Sequence, residues 1–125
     1  KPQAKQSVRY GAGGRFHTST KKAKYVKSLE EAIKSQWTED HKLTGSIRLD
    51  IVFCFAWTKK DVSKGASGTA FTNLHIDIDN MLKPLKDSLA NVCIVDDCQV
   101  VMLTARKVRH DHPFIHVKMT LLDNK

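Results

Sequence analysis

The stretch His75–Gln99 changes its hydrophobic period once, and that change constrains the fold more than any other feature of the chain. Leu74, Ile76 and Ile78 are apolar while His75, Asp77 and Asp79 are polar. A period of two predicts a strand with both aspartates on the face away from the core. At Asp79–Asn80 the period lengthens. Leu82, Leu85, Leu89 and Val92 recur at helical spacing, which predicts a helix over about Asn80–Asn91 with Asp79 or Asn80 as its N-cap. Lys83 lies one turn beyond Asp79, so its ammonium returns over the carboxylates. Pro84 falls just past the positions where proline is well tolerated, predicting a tightened or bent first turn. A second acidic pair, Asp96–Asp97, stands before the apolar run that opens at Val100.

One short segment thus gathers up to four carboxylates and a lysine at a strand–helix junction. Carboxylates this close resist ionising together unless a cation joins them. All-oxygen ligation suits Mg²⁺ or Mn²⁺ rather than zinc, and such a site beside a lysine in a basic chain points to chemistry on phosphates. Solvated turn residues are the plain alternative. Capping accounts for Asp79 and a strand end for Asp96–Asp97, but neither explains Asp77 on an otherwise aliphatic strand. A calcium-binding EF-hand loop also begins D-x-D, yet needs glycine sixth and glutamate twelfth. Leu82 and Ser88 stand there, so that reading fails.

The pair of motifs Asp77-Ile78-Asp79-Asn80-Met81-Leu82-Lys83 (DxDNxxK) and Asp96-Asp97-Cys98-Gln99-Val100 (DDxQV) resembles the RusA family of Holliday-junction resolvases. The N-terminal segment Lys1–Arg9 is similar to the basic entry segment of phage-type members, and the resemblance spans nearly the whole chain. It implies a Mg²⁺-dependent endonuclease (Mn²⁺ as possible substitute) that binds four-way or branched DNA and resolves Holliday junctions by paired symmetric nicks in recombination and repair. It implies Asp77, Asp79, Lys83 and Asp97 as the catalytic set and Asp77, Asp79 and Asp97 as metal ligands, with Asp96 auxiliary. It also implies a homodimer, because a four-way junction is two-fold symmetric and paired nicks need two related sites. Two rivals belong to other classes: a non-catalytic protein that binds branched DNA, and a metal-dependent phosphohydrolase acting on small nucleotides.

At 125 residues the chain makes one domain with a modest core, here expected as a single nuclease domain over 1–125. With 41% hydrophobic and 27% charged residues, wholesale disorder is excluded. No apolar run approaches the ~20 residues of a membrane helix, and no secretory leader is visible, so a cytoplasmic protein without a membrane partner is expected. The sequence opens at Lys1 rather than methionine, leaving a trimmed N-terminus and a missing first strand as open expectations.

The net charge of +8 is unevenly spread. Residues 1–64 hold 14 lysines and arginines against 6 acids, whereas residues 65–125 hold 7 against 7. A one-sided basic segment is the footprint expected for a polyanion. Candidate DNA contacts are Lys5, Arg9 and Arg15 in the glycine-rich segment 1–20, then Lys21, Lys22 and Lys24. Lys59, Lys60 and Lys64 complete the set, in a basic, flexible loop expected over 58–73. A solvated basic tail and face is the plain alternative.

Along the remaining chain, residues 1–20 read as a loop or loose hairpin. A helix is expected from a Ser19 or Thr20 cap to about Trp37, with Val26, Leu29, Ile33 and Trp37 as its stripe. Ile47, Leu49, Ile51, Phe53 and Phe55 alternate cleanly, marking a strand with one buried face. Val100–Val108 and Phe114–Leu122 read as an antiparallel pair around the His110-Asp111-His112-Pro113 turn. His110, His112 and His116 are read as exposed turn histidines rather than ligands, and Cys54, Cys93 and Cys98 as free, buried or semi-buried thiols. Val92, Ile94 and Val95 are assigned to core packing before a dimer interface. The expected architecture is α+β: a mixed or antiparallel sheet of about four strands with two main helices packed on it.

Overall fold

A computed structural model describes residues 5–10, 22–72 and 77–122, with side chains from Lys24 onward. In chain order the elements are β1 (Lys5–Tyr10), α1 (Lys22–Gln36), β2 (Ile47–Ala56), α2 (Lys59–Ser63), β3 (Ala70–Phe71), α3 (Ile78–Val92), a 3₁₀ turn (Asp97–Gln99), β4 (Val100–His110) and β5 (Phe114–Leu121). The strands form one mixed sheet in the order β1-β5-β2-β4-β3. The α+β expectation is borne out: four substantial strands, a two-residue edge strand, and two long helices. Among the described residues no helix is long and apolar enough to cross a membrane.

β2 organises the sheet because it is the most apolar strand. Its inner set, Ile47, Leu49, Ile51, Phe53 and Phe55, is at most 2% exposed, so pairing on both edges shields the most backbone from water. β2 runs antiparallel to β5 and parallel to β4. The last two strands therefore lie on opposite sides of β2, and the hairpin expected from their sequence does not form. A local turn favours adjacent pairing, but the burial of β2 between them outweighs it.

The helices cover one face. Tyr25, Leu29 and Ile33 of α1 and Met81, Leu85 and Leu89 of α3 meet the inner residues of β2 and Ile115, Val117 and Met119 of β5 in one core. α1 packs on α3 and on β1. Asn91 Nδ2 straps the helix pair by donating to Glu30 Oε1 at 2.5 Å, while Ser88 Oγ donates to the Pro84 carbonyl of its own helix at 2.8 Å with the Val26 carbonyl of α1 3.3 Å away. Val92 packs against this core and Ile94 lies within it, whereas Val95 is 61% exposed.

The helix expected to about Trp37 ends at Gln36, and Ser19 and Thr20 lie outside the described residues. Three local expectations are corrected. Lys5–Tyr10 is an edge strand antiparallel to β5, where a loop or loose hairpin was expected. Segment 58–73 holds α2, because Thr58 and Asp61 form a capping box: Thr58 Oγ1 accepts from Asp61 N at 3.1 Å, and Asp61 Oδ2 accepts from Thr58 N at 3.3 Å. Finally, α3 begins at Ile78 with Asp77 as N-cap, so Ile78 and Asp79 belong to the helix and not to a strand. Leu74, His75 and Ile76 lie outside the described residues. With that earlier start Pro84 sits in the second helical turn, where it removes the donor to the Asn80 carbonyl. Such a position costs roughly 3 kcal/mol, and Pro84 is buried, so packing offsets the loss.

Candidate active site

The earlier helix start rearranges the acidic motif. Asp79 now lies in the first turn of α3, with Lys83, Lys86 and Asp87 following on the same side at helical spacing. These four residues, with Leu82, Asp97 and Leu103, line a cleft of about 350 Å³ between α3, the 3₁₀ turn and β4. Asp79, Lys83 and Asp97 are thus brought together although Asp97 is distant from Asp79 in sequence. Asp77 is exposed and immediately precedes the helix; its carboxylate makes no capping hydrogen bond. It does not line the cleft. Asp96 is committed locally, since its Oδ1 accepts from Cys98 N at 3.2 Å and caps the 3₁₀ turn.

Gln99 fixes where Asp97 stands. Its Oε1 accepts from Val95 N at 2.6 Å and from Asp96 N at 2.9 Å. Its Nε2 donates to the Leu43 carbonyl at 2.9 Å and the Gly45 carbonyl at 3.0 Å. Gly45 adopts φ 93°, a backbone conformation that costs glycine little. Leu43 also bridges Ile94 in parallel and its N–H donates to the Cys93 carbonyl at 2.7 Å. One amide therefore clamps the turn carrying both acids to a distant connector. The motif DDxQV contained this glutamine, but no role followed from its spacing alone. Lys86 and Asp87 were also missed; the signal available was their helical offset from Asp79.

A divalent cation fits this donor set in a limited way. Two aspartates of the motif, Asp79 and Asp97, face one cleft, yet among the described residues no three His, Cys, Asp or Glu side chains stand close enough to cage a metal. Mg²⁺ is commonly held by one or two carboxylates, with waters and substrate phosphates completing the shell. The cleft suits that shared kind of site, with Lys83 and Lys86 supplying positive charge for a phosphate.

None of the expected DNA contacts with a described side chain lines this cleft. Lys24 on α1 is exposed, as are Lys59 and Lys60 on α2 and Lys64 at its end. Lys5 and Arg9 lie on edge strand β1, and Lys22 opens α1; their side chains are outside the described set, as are Arg15 and Lys21. No disulfide joins the three cysteines; Cys54 and Cys93 are buried as expected, whereas Cys98 is exposed. Burial pushes the Cys93 thiol up to about 12.

The sequence matches the family of endodeoxyribonuclease RusA over residues 1–120, and the chain belongs to that family. It is therefore an endodeoxyribonuclease by family. It is also 28% identical over 102 residues to the uncharacterized protein YqaN of Bacillus subtilis (strain 168), an alignment covering 77% of this chain and 72% of that one.

Proposed function

We propose that the cleft between α3 and β4 hydrolyses DNA phosphodiesters at four-way junctions with Mg²⁺ (Mn²⁺ as substitute), acting as a homodimer in the cytoplasm during recombination and repair. The observation that carries this reading is the convergence of Asp79, Lys83 and Asp97 on one cleft in a chain of the RusA family.

Asp79 and Asp97 would hold the metal from the cleft walls, with Asp77 joining from the residue before the helix and Asp96 auxiliary through its place in the same turn. Bound there, Mg²⁺ would lower the pKa of a coordinated water and draw charge from the phosphoryl oxygens. Lys83, one turn above Asp79, stabilises the negative charge that builds on the phosphate in the transition state. Lys86 supports the same charge from the next turn. Leu82 and Leu103 form apolar walls that limit water at the reacting phosphate. Gln99 keeps Asp97 in register without touching substrate. Lys5, Arg9, Arg15, Lys21, Lys22, Lys24, Lys59, Lys60 and Lys64 contribute the sequence-independent attraction for the phosphate backbone.

The deciding experiment is cleavage of a labelled synthetic four-way junction, with Mg²⁺ and with EDTA, beside linear duplex of the same sequence. Paired symmetric nicks that need metal and spare the duplex are expected. Tight binding without nicks would replace this reading with a non-catalytic junction binder. Hydrolysis of free nucleotides without DNA cleavage would replace it with a nucleotide phosphohydrolase. Asp77→Asn, Asp97→Asn and Lys83→Ala should abolish cleavage and spare junction binding; equal loss of binding would sink the assignment.

A further inference from the structure

Neither long helix packs on the opposite face of the sheet, whose pleat assembles a second cleft of different chemistry. Arg106, Val108 and His110 alternate along β4 and pair with Val52, Cys54 and Ala56 of β2. On the other side of β2, Val52 pairs with His116 and Cys54 with Phe114 of β5. Cross-strand partners share a face, so Arg106, Val52 and His116 form one row. The β4–β5 turn folds over the next row, where Cys54 Sγ donates to the His112 carbonyl at 3.3 Å. The result is a cleft of about 440 Å³ that includes Arg106, His110, His112 and His116 around an apolar floor of Val52, Val108 and Phe114.

Among the described residues this lining contains one permanent cation and three histidines, and no carboxylate. Asp50 stands two residues from Val52 on the same face but is already engaged. Its Oδ1 accepts from Thr104 Oγ1 at 2.6 Å, and Arg48 Nε stands 3.1 Å from its Oδ2. The cleft therefore suits an anion. Its volume lies within the ~300–1,000 Å³ of ordinary ligand pockets, and the floor of Phe114, Val52 and Val108 suits the flat face of a base. A second copy of this chain fits poorly, because pairing the two faces would set Arg106 and Lys118 against like charges.

We propose that this cleft binds one nucleotide unit of the DNA substrate, its phosphate at Arg106 and the histidines and its base on the Phe114 floor. The inference rests on the reading of the chain as a DNA nuclease. Because the acidic cleft lies on the helix-bearing face, the two sites engage different segments of DNA, and a branched molecule can satisfy both where a short linear duplex cannot.

The test uses the whole chain and the double variant Arg106→Gln/His112→Gln, both positions being exposed. In EDTA, junction affinity should fall about 10-fold and the salt dependence should flatten by about one phosphate contact. Affinity for linear duplex, and the cleavage rate at saturating junction, should stay within about two-fold of wild type. Unchanged junction affinity and salt slope would overturn the proposal, as would a lower saturating rate with unchanged affinity. An independent arm titrates dTMP while following histidine ring signals by NMR. Shifts at His110 and His116 that vanish in the variant support the site, and shifts confined to other residues overturn it. If the wild type bound no DNA, the nuclease reading would fail, and the dTMP arm would still decide the cleft.

Discussion

The two faces of one sheet differ in cover, charge and chemistry, and a single strand divides them. On the inner side of β2 every large residue is sealed under α1 and α3, and the acidic cleft opens only where that cover ends, at Leu103, 43% exposed. On the outer side Arg48, Asp50 and Val52 stay partly open, and the cleft there is lined by arginine and histidine. The pleat sorts residues strictly by parity, so the carboxylates and lysines around Leu103 and the arginine and histidines around Val52 are kept apart by the thickness of the sheet. The helix layer bounds the first site, whereas strand register and the β4–β5 turn build the second.

The sharpest way to test that division is to remove a carboxylate from one side only. Asp97→Asn should abolish cleavage, a loss of more than about 10³-fold, while junction affinity holds, measured by single-turnover assay and fluorescence anisotropy. Next in size, Leu89→Ala should cost about 2–5 kcal/mol, because Leu89 is fully buried where α3 meets the core. Urea unfolding should show a lower midpoint, and both clefts should fail together at temperatures where the variant melts.

Gln99→Leu should act on the acidic side alone. It strands two N–H groups and two carbonyls of the clamp, a loss of roughly 1–3 kcal/mol. The Mg²⁺ concentration for half-maximal cleavage should rise, with junction affinity in EDTA unchanged. Gln99→Glu should fall between the two, since it keeps the acceptor that serves Val95 and Asp96 but loses the donor that reaches Leu43 and Gly45. An unaltered Mg²⁺ requirement in Gln99→Leu would remove the positioning role.

The smallest effect belongs to the open face. The Thr104 hydroxyl, and secondarily Arg48, hold the Asp50 carboxyl below its ordinary value of 3.8. A depressed folded-state value stabilises the protein above the unfolded value, and that gain is lost as pH falls through the folded one. Wild type should therefore exceed Thr104→Val in stability at neutral pH, with the gap closing below about pH 4. A gap independent of pH in urea titrations would show that Asp50 is not the cause.

Much of the fold was legible because its signals are local. The alternation from Ile47 to Phe55 specifies a strand with one buried face, and Leu82, Leu85 and Leu89 specify the buried stripe of α3. Asp79 and Lys83 are neighbours through helix geometry alone. The start of α3 was misjudged because Ile78 fits either period, and Asp77 can end a strand or precede a helix equally well. The clamp of Gln99 was hidden because its partners, Leu43 and Gly45, are far away in sequence and are engaged through backbone carbonyls, which carry no side-chain signature.

By itself the sequence determined the element types, the one-sided basic charge, the acidic motif and its tie to the RusA family, since each rests on periodicity, composition or short-range spacing. Only the tertiary structure decided that β2 separates β4 from β5, that Asp97 meets Asp79 and Lys83 in one cleft, and that Arg106 and three histidines line another on the outer face. Those outcomes depend on which strand gains most from being buried between two neighbours. That is a competition among distant segments, and no local pattern records its result.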